Sequence, residues 1–456
     1  MNLKQKENFF KYLAKNFDSM DYPPIILWKK KKREDIKEGW RKRVKEISAG
    51  AVDYPGLYIH IPYCQTKCFF CKFRTRVSNS AKIIGQYLKC LKEEIDEFSP
   101  IFKKISFKTL YLAGGTPTLF SASQLGEILN TLERKFNLKE TYQRLIESTP
   151  ATISQEKLEI LKKHRFNRLT IGVQAVDEKV LGMINRRNQT KDMVRRVFYM
   201  AKSAGIEIIN LDLVAGLPGQ TTHSFLGDLD FILELKPDAF HLYSYEEEDQ
   251  VIFYKIGKKI KEKDRIRRDR MLKLADSKIK RYGYRHYRNE PYLLSWRAAN
   301  FQFQFRYFAN GSLLGLGAGA LSYIPGHYAY HNSWLDDYLS YRLKKKFPPC
   351  LDAYRLNKKE CRINYVINNI RTGVDKKKYL DLFGIDFDRE FRKEIESLKK
   401  LNRLQEGNDK VRLIAKDNLE SRAYSKFFYS SKVVRGIEKN LNQRNERNRF
   451  KNEARP

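Results

Sequence analysis

Short apolar runs alternate with longer amphipathic stretches between residues 57 and 245 of this chain. The apolar runs are rich in leucine, β-branched and tyrosine side chains, which is typical of buried strands. The stretches between them, such as 83–98 and 192–205, carry apolar residues at helical spacing. The predicted strands are 57–61, 109–113, 144–148, 168–173, 208–215 and 239–245.

Strands that alternate with helices in this way indicate repeated βα units around a parallel sheet. Six predicted units suggest an α/β fold with a partial (β/α)6 barrel. In such a barrel, functional residues collect on the loops that follow the C-terminal ends of the strands. Side chains on those loops are therefore the first candidates for a functional site.

The rest of the chain divides by composition into regions on either side of the barrel. Residues 1–50 form a basic extension, and residues 51–250 hold the predicted barrel. Residues 251–360 contain a long basic helical stretch and a glycine-rich return that completes the core. Residues 361–430 predict a small, mainly helical C-terminal domain, and residues 431–456 predict a basic, frayed tail.

The excess of basic residues is the unusual feature of the composition. Lys plus Arg number 89 against 54 Asp plus Glu, which gives a net charge of +35. Such a balance favours contact with nucleic acid or with an anionic membrane surface, although a lineage with a basic proteome is the alternative. Because no helix-turn-helix, zinc-finger or RNP motif is present, the membrane surface is the preferred specific partner.

The basic extension contains an apolar cluster directly before the basic run from Lys29 to Arg33. Tryptophan beside such a run is typical of a segment at a lipid headgroup boundary. The alternative is an ordinary lead-in that packs Ile25, Ile26 and Leu27 on the main domain. The pattern leaves both interpretations open.

Three further patterns in the sequence bear on the cellular compartment of the protein. Six scattered cysteines are too few for a disulfide framework. The N-terminus has no apolar region typical of a secretory signal, and no apolar run is long enough to span a bilayer. The sequence therefore predicts a cytoplasmic protein, with peripheral attachment to the inner face of the membrane as an added expectation.

Cys64, Cys68 and Cys71 follow the first predicted strand in a C-x₃-C-x₂-C spacing. Three thiolates from one loop can hold three irons of a [4Fe–4S] cluster and leave the fourth iron without a protein ligand. The alternatives are a zinc site and three unrelated thiols. Zinc usually takes four ligands in paired spacings, and only His60 lies near enough in sequence to be the fourth.

An open iron is suited to a ligand that brings its own chemistry. The amine and carboxylate of S-adenosylmethionine (SAM) can chelate that iron, which places the sulfonium beside the electron source. A single electron then cleaves a carbon–sulfur bond and yields a carbon radical. The protein orients these parts and excludes water.

The chain resembles the radical SAM enzymes of the oxygen-independent coproporphyrinogen III oxidase family, which includes related haem chaperones. The resemblance runs from residue 57 to about residue 246 and is weaker beyond. It rests on YIHIPYCQTKCFFC (58–71), AGGTPT (113–118), Glu147, IGVQ (171–174), Arg186 and NLDLVAGLPGQT (210–221).

The resemblance implies two groups of cofactor-binding residues and assigns no catalytic residue. The group expected beside the cluster-bound SAM consists of Tyr58, Phe70, Gly114, Gly115, Thr116 and Glu147. The group expected around a second SAM consists of Gln174, Arg186, Asp212 and Ser244. For each residue alone, a structural hydrogen bond or turn is the alternative.

Two departures from the family pattern bear on the reaction. The oxidases that the chain resembles carry a further cysteine at the position of Phe73, where the chaperone-like branch has an aromatic residue. The haem chaperones carry an H-N-x-x-Y-W motif, and Ala299 stands where its histidine should be. Because imidazole is the usual axial haem ligand, haem binding by that motif is in doubt.

These departures favour a third branch of the family, the radical SAM methyltransferases that use two SAM molecules. The acceptor expected is an sp² carbon of an aromatic substrate such as a menaquinone, and the electron donor a flavodoxin- or ferredoxin-like protein. The alternatives are a haem chaperone and an oxygen-independent coproporphyrinogen III oxidase.

Overall fold

The structure is a computed structural model that describes residues 2–16, 22–245, 252, 262–286, 292–344, 348–416 and 418–453. Its strands are β1 (Lys29–Lys32), β2 (Gly56–Ile61), β3 (Tyr63–Cys64), β4 (Arg76–Val77), β5 (Thr109–Gly114), β6 (Gln143–Ser148), β7 (Arg168–Gln174), β8 (Ile208–Ala215), β9 (Ala239–Ser244), β10 (Arg285–His286), β11 (Tyr292–Leu293), β12 (Leu313–Leu316), β13 (Leu321–Ile324), β14 (Tyr328–His331), β15 (Cys350–Arg355), β16 (Val374–Asp375), β17 (Leu404–Glu406) and β18 (Lys410–Leu413).

The α-helices in the described part of the chain lie mainly between these strands and in the C-terminal region. They are α1 (Leu3–Asn16), α2 (Arg33–Ser48), α3 (Ala81–Phe98), α4 (Ala122–Lys135), α5 (Gln155–Lys163), α6 (Glu178–Met183), α7 (Lys191–Ser203), α8 (Thr222–Leu235), α9 (Glu262–Arg281), α10 (Phe301–Phe308), α11 (Leu335–Leu343), α12 (Lys358–Asn369), α13 (Lys376–Phe383), α14 (Phe387–Glu390), α15 (Arg392–Lys400), α16 (Asn418–Ser425) and α17 (Ser431–Glu453).

Six consecutive parallel strands form the centre of the molecule, in the order β2-β5-β6-β7-β8-β9. All six predicted strands are confirmed, and so is the partial barrel. Helices cover the outer face of this sheet, so its strands are nearly continuous apolar runs; in β7 every residue before Gln174 is buried.

The sheet extends beyond the barrel to thirteen strands, with β12 to β15 and β1 on one side and β11 and β10 on the other. The glycine-rich return forms β12 and β13 within this sheet, and β12 runs parallel to β2. The close packing expected there is present, because a Cβ on Gly315 would lie 2.2 Å from the carbonyl oxygen of Leu321.

The N-terminal extension packs on the main domain, and its contact with lipid headgroups stays a prediction. The run Lys29–Lys32 is an edge strand that pairs antiparallel with β15. In α2, Trp40 is fully buried and donates its indole N–H to the hydroxyl of Tyr330 at 2.9 Å. The apolar residues of the extension are therefore used by the fold.

Helix α10 and the turn before it lie across the N-terminal ends of the barrel strands and form a floor. Gln143 at the start of β6 donates to the carbonyl of Ala299 at 2.8 Å and accepts from the backbone N–H of Phe301 at 3.0 Å. Thr109 at the start of β5 donates to Gln302 at 3.2 Å. This floor lies at the end of the barrel opposite the cysteine loop.

The C-terminal region has the predicted helices and hairpin, with β17 and β18 joined by β16 in a three-stranded sheet. The last segment differs from the expectation, because Ser431–Glu453 is a helix where a frayed tail was predicted. The predicted basic helix is present as Glu262–Arg281, and the residues 253–261 before it lie outside the described part.

Candidate cofactor site

The loop with the three cysteines begins directly after β2, at the C-terminal end of the barrel. Its two ends are held together, because Arg76 donates its N–H to the carbonyl of Pro62 at 2.8 Å and Ser78 donates to that of Cys64 at 3.2 Å. Within the loop, the N–H of Cys71 donates to the carbonyl of Cys68 at 3.1 Å. The three thiols are thus presented by one closed loop.

This loop rests on a small apolar cluster, which we call the apolar seat. Phe69 and Phe70 pack against the seat, and the N–H of Phe69 donates to the carbonyl of Ile184 at 3.2 Å. The seat is built by the end of β8 and by the segments that follow β7, β8 and β9. Its residues are Ala175, Val180, Leu181, Ile184, Val214, Leu217 and Tyr245.

Polar groups from two other barrel loops contact the cysteine sulfurs. The Arg186 Nε lies 3.1 Å from the Sγ of Cys68, and the Thr116 Oγ1 lies 3.6 Å from the Sγ of Cys64. Burial raises the pKa of the Cys64 and Cys71 thiols, and the neighbouring thiols add to that rise. A bound positive charge is therefore needed to hold these sulfurs as thiolates.

These residues fit an iron–sulfur cluster better than a single metal ion. Within the described residues, no three His, Cys, Asp or Glu side chains converge closely enough to hold one ion. A four-iron cluster is larger than an ion and takes its cysteine ligands further apart. His60 does not join the cysteines in such a group, and its Nδ1 is hydrogen-bonded to the Tyr58 hydroxyl at 2.7 Å.

The turn 114–116 packs closely against the start of the cysteine loop. The N–H of Gly115 donates to the carbonyl of Ile61 at 2.6 Å, and that of Thr116 donates to the carbonyl of Tyr63 at 2.7 Å. Gly114 has a φ of 115° and contacts the ring of His60. The glycines thus have a structural use, and their contact with SAM stays a prediction.

The substitution Gly115→Ala is expected to disrupt this turn. The new Cβ would lie 2.3 Å from the carbonyl oxygen of Tyr63, which is backbone and cannot move aside easily. Overpacking of this kind lowers the free energy of unfolding by about 1–3 kcal/mol. Urea unfolding of the unloaded protein would measure the change.

Gly126→Ala is the matched control for that prediction. Gly126 lies inside α4, and a Cβ there meets nothing within 4 Å. It should stabilise the protein by up to about 1 kcal/mol through helix propensity. Equal stability changes in the two variants would contradict the tight contact at Gly115.

A row of polar side chains lines the interior of the barrel below the cysteine loop. Tyr58 packs edge-on against Tyr111, with 5.7 Å between ring centroids, and Tyr111 donates a short hydrogen bond to Glu147. Burial raises the pKa of Glu147 to about 7, with a further rise from Asp212. Burial also lowers the pKa of His60 to about 4, so its ring stays neutral.

The structure brings three of the four residues predicted around a second SAM close together. Asp212 accepts a hydrogen bond from Asn210 at 2.8 Å and contacts the Nδ1 of His241 at 3.1 Å, so it faces the same interior as Glu147. Gln174 and Arg186 both lie beside Gly172, whose register partner on β8 is Asp212. Ser244 ends β9 opposite Ala215, without a side-chain hydrogen bond to any other residue of this group within the described chain.

Sequence reasoning missed several residues of the interior. The missed residues are Tyr111, Gln189, Asn210, His241 and Tyr243. Four of them stand on barrel strands, and a signal was present: Asn210 precedes Asp212 by two positions, as His241 precedes Tyr243. Polar residues two apart in an apolar strand share one face.

The raised pKa of Glu147 predicts a pH-dependent stability in the unliganded protein. A carboxyl whose pKa rises on folding stabilises fully below its ordinary pKa of 4.5, and that contribution is lost as pH rises to about 7. Glu147→Gln removes this dependence, so the difference in unfolding free energy between the two proteins should change by about 2–3 kcal/mol across that window.

Urea unfolding of wild-type and Glu147→Gln protein at pH values from 4.5 to 8 would measure this difference. Glu159→Gln, on the exposed side of α5, is the control and should run parallel to wild type. Parallel curves for Glu147→Gln as well would show that this carboxyl is not held neutral by the fold.

Comparison with known proteins places this site in a family. The Radical SAM superfamily profile matches residues 58–232. The heme chaperone HemW of Bacillus subtilis is 28% identical over 336 residues, which cover 73% of this chain and 87% of that protein. The heme chaperone HemW of Lactococcus lactis is 30% identical over 274 residues, which cover 59% of this chain and 69% of that protein.

A second group of relatives carries a different name. The oxygen-independent coproporphyrinogen III oxidase of Escherichia coli is 29% identical over 295 residues, which cover 62% of this chain and 64% of that protein. The solved structure of coproporphyrinogen III oxidase (HemN) from Escherichia coli, described as a radical SAM enzyme, has the same fold. It has a TM-score of 0.76 and 22% identity over 90% of this chain and 96% of that one.

The comparisons correct the predicted reaction. The methyltransferase interpretation, with its menaquinone acceptor, is wrong, because these relatives are named heme chaperones and coproporphyrinogen oxidases. They agree with the two alternatives instead.

The comparisons also identify the cofactors. A [4Fe–4S] cluster and SAM are the cofactors of the matched family, and the three-cysteine loop fits them. Among the helices that the structure describes, none is both long and apolar enough to cross a membrane.

With its cysteine loop, its partial barrel and these relatives, the chain belongs to the radical SAM superfamily, in the coproporphyrinogen-oxidase-like family that contains them.

Proposed function

We propose that this protein is an oxygen-independent oxidase that acts on the propionate side chains of a porphyrinogen. When bound, the cluster and SAM supply an electron and a carbon radical that can take a hydrogen atom from a substrate. Loss of that hydrogen and of CO₂ converts a propionate into a vinyl group, provided that an acceptor takes the remaining electron.

The observation that carries the proposal is the polar interior between the cysteine loop and the floor. Aromatic rings of Tyr58, Tyr111 and Tyr243 line it, together with the carboxyl groups of Glu147 and Asp212. Flat apolar rings with polar tips suit a pyrrole substrate that presents both faces and N–H edges. Relatives named coproporphyrinogen III oxidase support the same class of substrate.

The residues of this interior have distinct roles in the proposed reaction. Arg186 holds the cysteine loop in position through Cys68 and the carbonyl of Gly172. Glu147 has a pKa of about 7 and shares a hydrogen bond with Tyr111, so it can hold or release a proton near neutral pH. Helix α10 excludes water from the far end of the barrel.

The test is an anaerobic assay of the cluster-reconstituted protein with SAM, a one-electron reductant and coproporphyrinogen III. We expect 5′-deoxyadenosine, CO₂ and a product whose mass shows a propionate converted into a vinyl group. Formation of 5′-deoxyadenosine without any change in the porphyrinogen would contradict the oxidase. Radical SAM enzymes of this family use an electron donor, so omission of the reductant is the negative control.

A haem carrier is the second candidate, because the HemW relatives have that name and Phe73 stands where the oxidases have a cysteine. Phe73 is 64% exposed, and its ring is free to contact a partner or ligand. Against the carrier, Ala299 is fully buried in the floor and supplies no ligand. His241 is an imidazole that faces the interior beside Asp212.

Gel filtration of the protein after incubation with haem distinguishes the two candidates. A carrier retains one haem per chain, and His241→Ala changes the Soret band if this imidazole is the axial ligand. Haem that separates from the protein would remove the carrier and leave the oxidase.

A further inference from the structure

Helix α10 carries a buried arginine that has no ion pair among the residues that the structure describes. Arg306 is 4% exposed, and its Nε and Nη1 have no hydrogen-bond partner in the described part of the chain. Two aromatic rings lie within cation–π distance of its guanidinium carbon, Tyr323 at 3.5 Å and Tyr307 at 4.8 Å to the ring centroids, and we call this pair of rings the clamp. The two rings position the guanidinium group, but its Nε–H and Nη1–H groups donate to no acceptor among the described residues.

Arg33 and Arg43 are buried arginines that are paired with carboxylates. Arg33 contacts Glu94 at 3.3 Å and Glu97 at 2.7 Å, and all three side chains are buried. Arg43 contacts Asp53 at 2.9 Å. Arg306 has no such ion pair among the described residues.

The groups next to Arg306 do not supply the missing negative charge. Burial raises the pKa of the Tyr323 phenol and of the Cys361 thiol, so both are neutral near pH 7. Stacking on aromatic rings offsets only part of the free-energy cost of burying an isolated ion. A buried cation left in this state is suited to an anion that arrives from outside.

The clamp around Arg306 adjoins the interior of the barrel. Tyr307, one ring of the clamp, lies close enough to Tyr58 to act on its phenol, whose pKa is raised by burial and then by Glu147 and Tyr307. Tyr58 also packs on the apolar cluster that contains Tyr323. The Tyr323 hydroxyl donates to Asn310 at 2.7 Å, which fixes the second ring.

We propose that Arg306 binds a carboxylate of the substrate at the floor of the barrel, with its fork clamped between Tyr307 and Tyr323. The inference rests on the proposed function in one respect, since it takes a propionate of the porphyrinogen as that carboxylate. A guanidinium edge matches a carboxylate with two parallel hydrogen bonds. A substrate anchored there directs its other side chains toward the cysteine loop at the opposite end.

The test compares coproporphyrin III, a stable tetracarboxylate, with its tetramethyl ester in fluorescence titrations of the full chain. Wild-type protein should bind the acid at least tenfold more tightly than the ester. Arg306→Gln should weaken binding of the acid about 10- to 100-fold, the range for loss of a hydrogen bond to a charged group. It should leave binding of the ester unchanged.

Two further variants and measurements separate a ligand site from a structural arginine. Arg306→Lys keeps the charge without the fork, and its affinity for the acid should fall between the other two. The unfolding temperature of ligand-free Arg306→Gln should equal or exceed that of wild type, because an unpaired charge is removed. A lower unfolding temperature with unchanged affinity would mean a structural role and would overturn the proposal.

Other results of these experiments would overturn the inference or the proposed oxidase. Equal affinity of wild type and Arg306→Gln for the acid overturns the inference, as does wild-type protein that binds neither porphyrin. Stabilisation by free propionate or phosphate alone, without preference for the acid over the ester, overturns the assignment to the substrate. Porphyrinogen turnover with an unchanged KM in Arg306→Gln refutes only this inference, whereas acid-specific binding without turnover refutes only the proposed oxidase.

Discussion

Replacement of Cys71 by alanine is expected to abolish both cluster loading and SAM cleavage. The three thiols come from one closed loop, and burial raises the pKa of Cys71, so its thiolate depends on bound iron. Two sulfurs cannot hold the three irons of an open-site cluster. We expect loss of the visible cluster absorbance and at least a thousandfold fall in 5′-deoxyadenosine formation, about the 4 kcal/mol scale of an essential contact.

Cys350→Ala is the matched control, because that cysteine lies on β15 beside Lys32 and away from the loop. It should load iron and cleave SAM as wild type does. Iron and sulfide analysis with electron paramagnetic resonance would measure both variants. A four-iron signal of wild-type intensity from Cys71→Ala would remove this cysteine from the ligand set.

Arg186→Met is expected to have the second largest effect, through the cysteine loop. Its guanidinium donates to the Cys68 sulfur at 3.1 Å, to the carbonyl of Gly172 and to the side chain of Gln189 at 3.2 Å. Hydrogen bonds to the sulfurs raise the reduction potential of a cluster. If this hydrogen bond and the positive charge of Arg186 stabilise the reduced cluster by about 1.4 kcal/mol, their loss lowers the reduction potential of the cluster by about 60 mV.

The same variant should cleave SAM about 10- to 100-fold more slowly, because one charge-assisted hydrogen bond to the loop is lost. Arg195→Met is the control, since Arg195 pairs with exposed Asp192 on the outer face of α7. Redox titration and 5′-deoxyadenosine formation measure the two effects separately. An unchanged potential with wild-type turnover would show that Arg186 does not act on the cluster.

The barrel could be predicted from the sequence because its strands are buried on both faces. Such strands stand out as continuous apolar runs, and Arg168–Gln174 is the clearest example. The cysteine loop could be located for a similar reason, since its ligands lie close together in sequence. Local patterns of this kind need no knowledge of the tertiary structure.

The floor and the interior could not be predicted, because they depend on contacts between distant residues. Gln143 and Ala299 are 156 residues apart, and their hydrogen bond fixes the place of α10. The stretch around Ala299 stands in the sequence where the haem chaperones carry their histidine motif, whereas in the fold it closes the end of the barrel. A missing histidine therefore did not identify a different reaction.

The net charge alone does not locate the basic side chains in the fold. Part of it is neutralised inside the fold, as Arg33 is by Glu94 and Glu97. Lys29–Lys32 lies along a sheet edge, where exposed lysines discourage pairing with another chain. This lysine run thus has a structural use, because it discourages the edge strand from pairing with the strand of another chain.

The apolar seat bears on how the protein acquires its iron. Phe69 and Phe70 pack against apolar side chains of the seat, and Asn185 donates to the carbonyl of Lys67 at 3.0 Å. These contacts with the protein offset part of the conformational entropy that ordering the loop costs. We therefore expect protein made without iron to accept a cluster after it has folded, which reconstitution with iron and sulfide would measure.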